Sequence, residues 1–392
     1  MANLFIKKDL NLLISDAGDP NAPESGEGSL KRTLGPFNLI MIGIGAIIGA
    51  GIFSLTGTAA AYYAGPAIVF SFIVGAVLCA FAGLCYAEMA AMVPVAGSAY
   101  AYSYATMGEF IAWIIGWDLV LEYAFGAVAV ASSWSGYFVS LVSKTFGIQL
   151  SDDYLRLTKG PWELVTVADG TQILGIWNVP ATILVCVLSV LLYRGMQKSA
   201  IINNLMVVIK VSIILIFIGL GWAVVNPANW VANSAASGIA SLVPLPGMVF
   251  KNGIMSMSFG WPGVLTGAGV VFFAYIGFDA LSTTAQECKN PRRDLPIGIL
   301  VSLLCCTVLY ILMALVMTGV VPYQELGVPD PIAVGIDRIV SLRGWPQAGQ
   351  TFLTFTVKMG ALAGLTSVVL VLLMAQTRVF YAMSKDGLLP WF

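Results

Sequence analysis

The sequence predicts an all-α integral membrane protein with eight membrane-crossing helices. Three observations predict it. Of 392 residues, 58% are hydrophobic and only 10% charged, whereas soluble domains carry about 25% charged residues. Between Thr33 and Ala87 there is no charged side chain. Further apolar runs follow, near the roughly 20 residues that a helix needs to cross a bilayer.

The first apolar run is too long for one helix, and Gly65-Pro66 divides it into spans at 37–63 and 67–93. Later spans fall at 110–140, 178–195, 201–225, 264–287, 297–321 and 351–380. The stretch Gly97 to Tyr104 is polar, aromatic and uncharged, which predicts a small interfacial helix. Residues 144–177 mix charges with Gly and Pro, the composition of a turn or hairpin. Residues 226–262 read as a loop over the outer face, and 330–346 as a short amphipathic segment capping the entrance. Residues 1–33 are polar, show no cleavable signal peptide and read as a cytoplasmic tail. Residues 34–392 then form one transmembrane domain.

With the N-terminus inside, the inner segments carry Lys7, Lys8, Lys31, Arg32, Arg194, Lys198, Lys289, Arg292, Arg293, Arg378 and Lys385. The longer outer loops carry Lys144, Arg156, Lys159, Lys251, Arg338 and Arg343. This excess inside sets the orientation. Short inner loops without a targeting sequence fit a bacterial inner membrane, with the bilayer itself as partner.

Several functions are excluded. The chain has no His, which removes imidazole metal sites, His bases and His switches. No HExxH or GxSxG pattern points to an enzyme. The six cysteines form no metal-type CxxC pair and read as free apolar fillers. No cofactor is implied. A net charge of -1 gives no electrostatic case for nucleic acid, and no repeated pore helix suggests a channel.

The first span contains Gly43-Ile44-Gly45-Ala46-Ile47-Ile48-Gly49-Ala50-Gly51. Glycine weakens a helix interior by about 0.5–1 kcal/mol relative to alanine, so the cluster marks either a break or a very close helix contact. In the sixth span Gly277 sits mid-run with Asp279 just after it. That acid either caps a half-helix, faces an inner vestibule or marks a functional cavity. Interrupted spans at corresponding places in two halves point to a transporter site. A break frees N–H groups at a positive helix end, which suit a carboxylate, and C=O groups, which suit an ammonium. A zwitterionic α-amino acid carries both.

Lys210 lies nine residues beyond Ile201, about 14 Å into a core of about 30 Å. Desolvation disfavours the charged form of a buried amine, which suits proton coupling. The alternative is a permanently charged lysine bonded to carbonyls of the broken first span. Lys358 lies early in the eighth span, near enough to the outer face to snorkel. Asp118 and Glu122, four apart in the third span, share a helix face; they read first as structural partners and otherwise as acids that neutralise a lysine or relay a proton, Glu122 being the candidate alongside Lys210 for proton coupling. Glu287 and Lys289 form a pair in a cytoplasmic turn.

Taken together, Gly43 to Phe53, the stretch Glu88 to Tyr100, Gly116 to Tyr123, Phe272 to Asp279 and Asn290-Pro291-Arg292-Arg293-Asp294-Leu295-Pro296-Ile297-Gly298 resemble the cationic amino acid transporter family. That family belongs to the amino acid–polyamine–organocation superfamily. The resemblance runs from about Leu34 to the last residue. It implies a leucine-transporter-type fold of two inverted five-helix repeats with unwound first and sixth helices. In such proteins the first unwound segment holds the substrate carboxylate, here Ile47, Gly49, Ala50 and Gly51. The sixth holds the amino group, here Phe273, Ala274, Tyr275 and Ile276. Lys210 matches the lysine taken as the proton-coupling site, and Glu122 matches a nearby acid. A residue near Gly364 and Leu365 would shape the side-chain pocket. The second repeat needs five helices and only three follow, so the expected domain is incomplete at its C-terminus.

The expected function is import of α-amino acids by proton symport, with H+ as the coupling ion. Small neutral substrates are favoured because the substrate segments are almost wholly apolar. The alternatives are amino acid/amine exchange, cationic amino acid uptake and a membrane sensor that binds an amino acid without moving it. The sequence leaves room for a small single-span accessory subunit.

Overall fold

The computed structural model describes residues 6–8 and 34–389, apart from 94, 96, 146, 148–149, 167–171, 195, 252–253 and 329. Most of the expected tail, residues 1–33, therefore lies outside the described residues. Among the described residues, six helical runs are long and apolar enough to cross a membrane. The first, Pro36–Met92, contains the first two expected spans. Gly65 turns the chain between them at φ +61°, a value open to glycine and costly for other residues.

The first span is not one helix. It comprises α1 (Pro36–Ile47), a wide π-type turn Gly51–Leu55, α2 (Thr56–Ala59) and a second wide turn Ala60–Ala64. The second span is α3 (Ile68–Met92). The expected interfacial helix is α4 (Ala99–Thr106), and the third span is α5 (Glu109–Ser140). Residues 144–177 hold α6 (Asp152–Arg156) and an antiparallel hairpin of β1 (Leu164–Thr166) and β2 (Gln172–Leu174).

The fourth expected span is α7 (Val179–Tyr193), at 15 residues shorter than the rest. Its start is set by Asn178, whose Oδ1 accepts the Ala181 N–H at 3.2 Å, an N-cap bond. The fifth span is α8 (Met196–Trp222). Residues 226–262 are more ordered than a loop: Gly247–Lys251 (β3) pairs antiparallel with Ile254–Ser258 (β4), Gly247 facing Ser258.

The sixth span opens with α9 (Gly260–Phe272) and the seventh is α10 (Pro291–Val320). Pro291 stands in the first turn of α10, where its missing N–H is no loss. The Asp294 carboxylate accepts the Asn290 N–H at 3.3 Å, closing the same end. The amphipathic cap is α11 (Pro331–Arg343), stopped by Gly344 in the left-handed conformation. The eighth span, α12 (Gln347–Lys385), is the most enclosed: its most apolar window is 78% buried, against 33% for the fifth span. It packs along α5, while α3 packs along α10. Small residues allow this close approach, with Gly116 against Met383 and Gly83 against Leu303.

Two expectations are corrected. Lys358 does not snorkel: it is 1% exposed, and its ammonium donates to the Ser140 carbonyl at 3.1 Å. The neighbouring α5 and the foot of α11 cover it, since Ser140 Oγ also donates to Asp330 at 2.5 Å. Glu287 pairs not with Lys289 but with Arg378 of α12, at 2.5 Å.

Candidate functional site

Both interrupted spans break where the glycines stand. α1 ends at Ile47, Ile48 turns extended (φ -74°, ψ 97°), and helix resumes at Gly51. The glycine cluster serves close contact as well as the break. A Cβ on Gly51 would run into Ala274, and one on Gly49 would stand 2.8 Å from Val368. In the sixth span one tight turn, Phe273–Tyr275, follows α9. Ile276 (φ -53°, ψ 136°) and Gly277 (φ +110°) then redirect the chain into a second tight run, Asp279–Glu287. The bare Gly277 lets Ala46 approach, since a Cβ there would meet Ala46 Cβ at 3.0 Å. Each break thus lies against the other.

Side chains from other spans bind the carbonyls that the breaks release. Tyr310 of α10 places its hydroxyl 2.7 Å from the Ile47 carbonyl and 2.8 Å from that of Ala274. A phenol has one proton, so it donates to one carbonyl at a time and links the two breaks through a single oxygen. Lys210, fully buried, donates to Gly45 O at 2.7 Å, Ile48 O at 2.8 Å and Ser367 Oγ at 2.9 Å. Three N–H donors of an ammonium meet three acceptors. The arrangement is the one in which the lysine braces the broken first span.

Between the breaks lies a small cavity. Ile47, Gly49, Ala50, Gly51, Phe273 and Ile276 line it together with Ala46, and Gly126, Val130, Val368 and Leu372 form its other walls. Six of the eight expected substrate residues therefore converge. The other two, Ala274 and Tyr275, do not line it. Ala274 packs on Gly51, and the Tyr275 hydroxyl turns away to the Phe72 carbonyl at 3.0 Å. Lys210 touches the site from behind, through the first span's backbone. No charged side chain lines the cavity among the described residues.

Glu122 does not line it either. It is half-buried one turn before Gly126 on α5. Its neighbour Tyr123 donates to Asp279 Oδ2 at 2.5 Å, and Asp279 is 3% exposed. Asp279 thus opens the tight run after the second break and is tied to the third span. Asp118 is exposed.

A family model described as amino acid permease matches residues 34–392. The chain belongs to the amino acid permease family. The branched-chain amino acid permease BcaP of Bacillus subtilis is 45% identical over 388 residues, covering 99% of this permease and 73% of that relative. The methylthioribose transporter of Bacillus subtilis is 40% identical, with 100% and 73% covered. Cationic amino acid transporter 9, chloroplastic, of Arabidopsis thaliana is 37% identical, with 92% and 57% covered. The relatives are transporters and permeases, not enzymes, and the permease is a multi-pass membrane protein.

The permease's pocket walls were the part that sequence reasoning missed. Val368 and Leu372 line the cavity one to two turns beyond Gly364 and Leu365, while Gly364 instead packs on Lys210 and Phe53. Gly126 and Val130, spaced four apart on α5, carried no signal, because an apolar residue facing a cavity reads like one facing lipid.

Proposed function

We propose that this permease imports α-amino acids across the plasma membrane as a secondary transporter driven by proton symport, with small neutral amino acids favoured. The N-terminus lies on the cytoplasmic side, and the scaffold is of the leucine-transporter type, with the first and sixth spans as equivalent broken helices of inverted repeats. The cavity carries the reading. It offers the start of a half-helix at Gly49 to Gly51, where the first N–H groups of a helix have no partner in a preceding turn, and carbonyl-bearing backbone at Phe273 and Ile276. A carboxylate at the first and an ammonium at the second leave the substrate side chain facing Gly126, Val130, Val368 and Leu372. Those walls are apolar, which favours a neutral side chain over a guanidinium. Lys210 is the proposed proton-coupling residue, because its charge state decides how many first-span acceptors it satisfies.

A branched aliphatic side chain is the second reading. Valine and leucine walls support it, as does the similarity to a branched-chain permease. Both are tested by uptake of labelled alanine into liposomes holding the purified protein, with unlabelled alanine, valine, isoleucine and arginine as competitors. Competition by alanine but not arginine supports the first reading. Competition by valine and isoleucine well ahead of alanine supports the second. Arginine competing while alanine does not would overturn both.

A further inference from the structure

One face of α8 touches Gly45 twice. The Gly45 carbonyl accepts the Lys210 ammonium at 2.7 Å. Its α-carbon lies against the Asn203 amide, where a Cβ would stand 2.8 Å from Oδ1 and 3.0 Å from Nδ2. Asn203 precedes Lys210 by seven residues, two turns of helix and so the same face, on the side proposed to face the cytoplasm. It is 3% exposed, and neither its oxygen nor its nitrogen has a hydrogen-bond partner among the described residues. A wholly unpaired amide in a buried position calls for a physical reason.

The surroundings of Lys210 narrow that reason. Among the described residues it forms no ion pair. Of the elements packed on α8, α1 gives it backbone carbonyls, α12 the Ser367 hydroxyl and α10 the nearby Cys306 thiol. At the far end of α8, α11 brings Arg343 to the Leu220 carbonyl. Among the described residues no carboxylate pairs with Lys210 to take its proton. Asn203 lies about 10 Å along the helix, and its side chain both donates and accepts.

We propose that Asn203 positions the water through which Lys210 exchanges its proton with the inner aqueous phase; this rests on Lys210 as the proton-coupling residue. One ammonium N–H leaves its protein acceptor, turns to that water and gives it the proton. An N–H bond breaks, an O–H bond forms, and the amine keeps the electron pair. The water passes a different proton to the next water towards the inner phase and remains, neutral, on the amide. Asn203 is a positioning residue: it does not touch the amino acid.

The test compares two assays in liposomes holding the full chain. Uptake of labelled alanine driven by an inward proton gradient requires Lys210 to release its proton on every cycle. Counterflow, in which labelled alanine exchanges with unlabelled alanine inside at equal pH, does not. Asn203→Leu is expected to slow gradient-driven uptake by about tenfold or more, with counterflow and the alanine KM within about twofold of the parent. Asn203→Ser, which replaces the amide by a smaller hydroxyl that still donates and accepts and leaves room for water, is expected to restore most of the driven uptake. Equal loss of both activities in both variants would make Asn203 merely structural and overturn the proposal, as would driven uptake unchanged in Asn203→Leu. If the parent itself shows counterflow but no gradient dependence, proton symport fails, and the relay falls with it for that separate reason.

Discussion

The Lys210 ammonium and the Gly45 carbonyl meet at 2.7 Å, so the fifth span holds the broken end of the first by a charged hydrogen bond inside the membrane. Lys210→Met keeps the length of the side chain and removes the donor. Two buried carbonyls and the Ser367 oxygen then lose the lysine donor. The expected loss is about 2–4 kcal/mol, read as a lower thermal unfolding midpoint in detergent. An unchanged midpoint would show that the bonds do not brace the break.

Tyr310→Phe deletes one oxygen and little volume. The carbonyls of Ile47 and Ala274 lose their shared donor, at about 1–3 kcal/mol. The same unfolding measurement checks it. A variant as stable as the parent would mean that the breaks hold their geometry without this link.

Gly51→Ala and Gly219→Ala are the same chemical change with opposite expected outcomes. The first drives a methyl into Ala274 and forces the two breaks apart, whereas the second meets nothing within 4 Å. Alanine uptake is expected to fall to background in the first. The second is expected to match the parent, with helix propensity slightly in its favour. Equal activity in both would separate the glycine from the site.

Arg378→Gln leaves Glu287 without its 2.5 Å partner where only 13% of the carboxylate side chain is exposed. Breaking a buried pair from one side costs about 3–5 kcal/mol. Expression yield and unfolding temperature should both drop, and Arg378→Gln with Glu287→Gln should recover part of the loss. No recovery in the double variant would deny the pairing its role.

Cys288, in the turn between the sixth and seventh spans, is fully buried, and burial pushes its thiol up to about 12 from 9.0. The folded protein therefore keeps the neutral thiol, and thiolate gains ground only as pH climbs towards that value. Because the thiolate is the nucleophile, a water-soluble maleimide is expected to leave Cys288 unlabelled at neutral pH and to label it after denaturation. Rapid labelling of the folded chain, located by mass spectrometry, would contradict the burial.

The breaks and Lys210 were legible because each is an anomaly within an apolar run. Glycine clusters and a deep charge stand out against Leu, Ile and Val. The pocket walls were not, since Val368 and Leu372 differ from lipid-facing valines and leucines only by what packs around them. Ala274 and Tyr275 left the expected set for a geometric reason: successive residues in a tight turn with three residues per turn point about 120° apart, so one stretch of backbone cannot aim every side chain at one cavity. Lys358 was misplaced because depth was counted along its own helix, while its burial comes sideways from α5 and the start of α11. Tyr310 carried no sequence signal at all, as a single tyrosine in a hydrophobic span is common.

Lys210 is the residue proposed to couple amino acid movement to protons. The most direct test is uptake of labelled alanine into liposomes, with and without an inward proton gradient, by the parent and by Lys210→Ala. Proton coupling at Lys210 requires gradient-stimulated uptake in the parent and none in the variant, with alanine still bound. Uptake in the parent that is indifferent both to the gradient and to the substitution would contradict it.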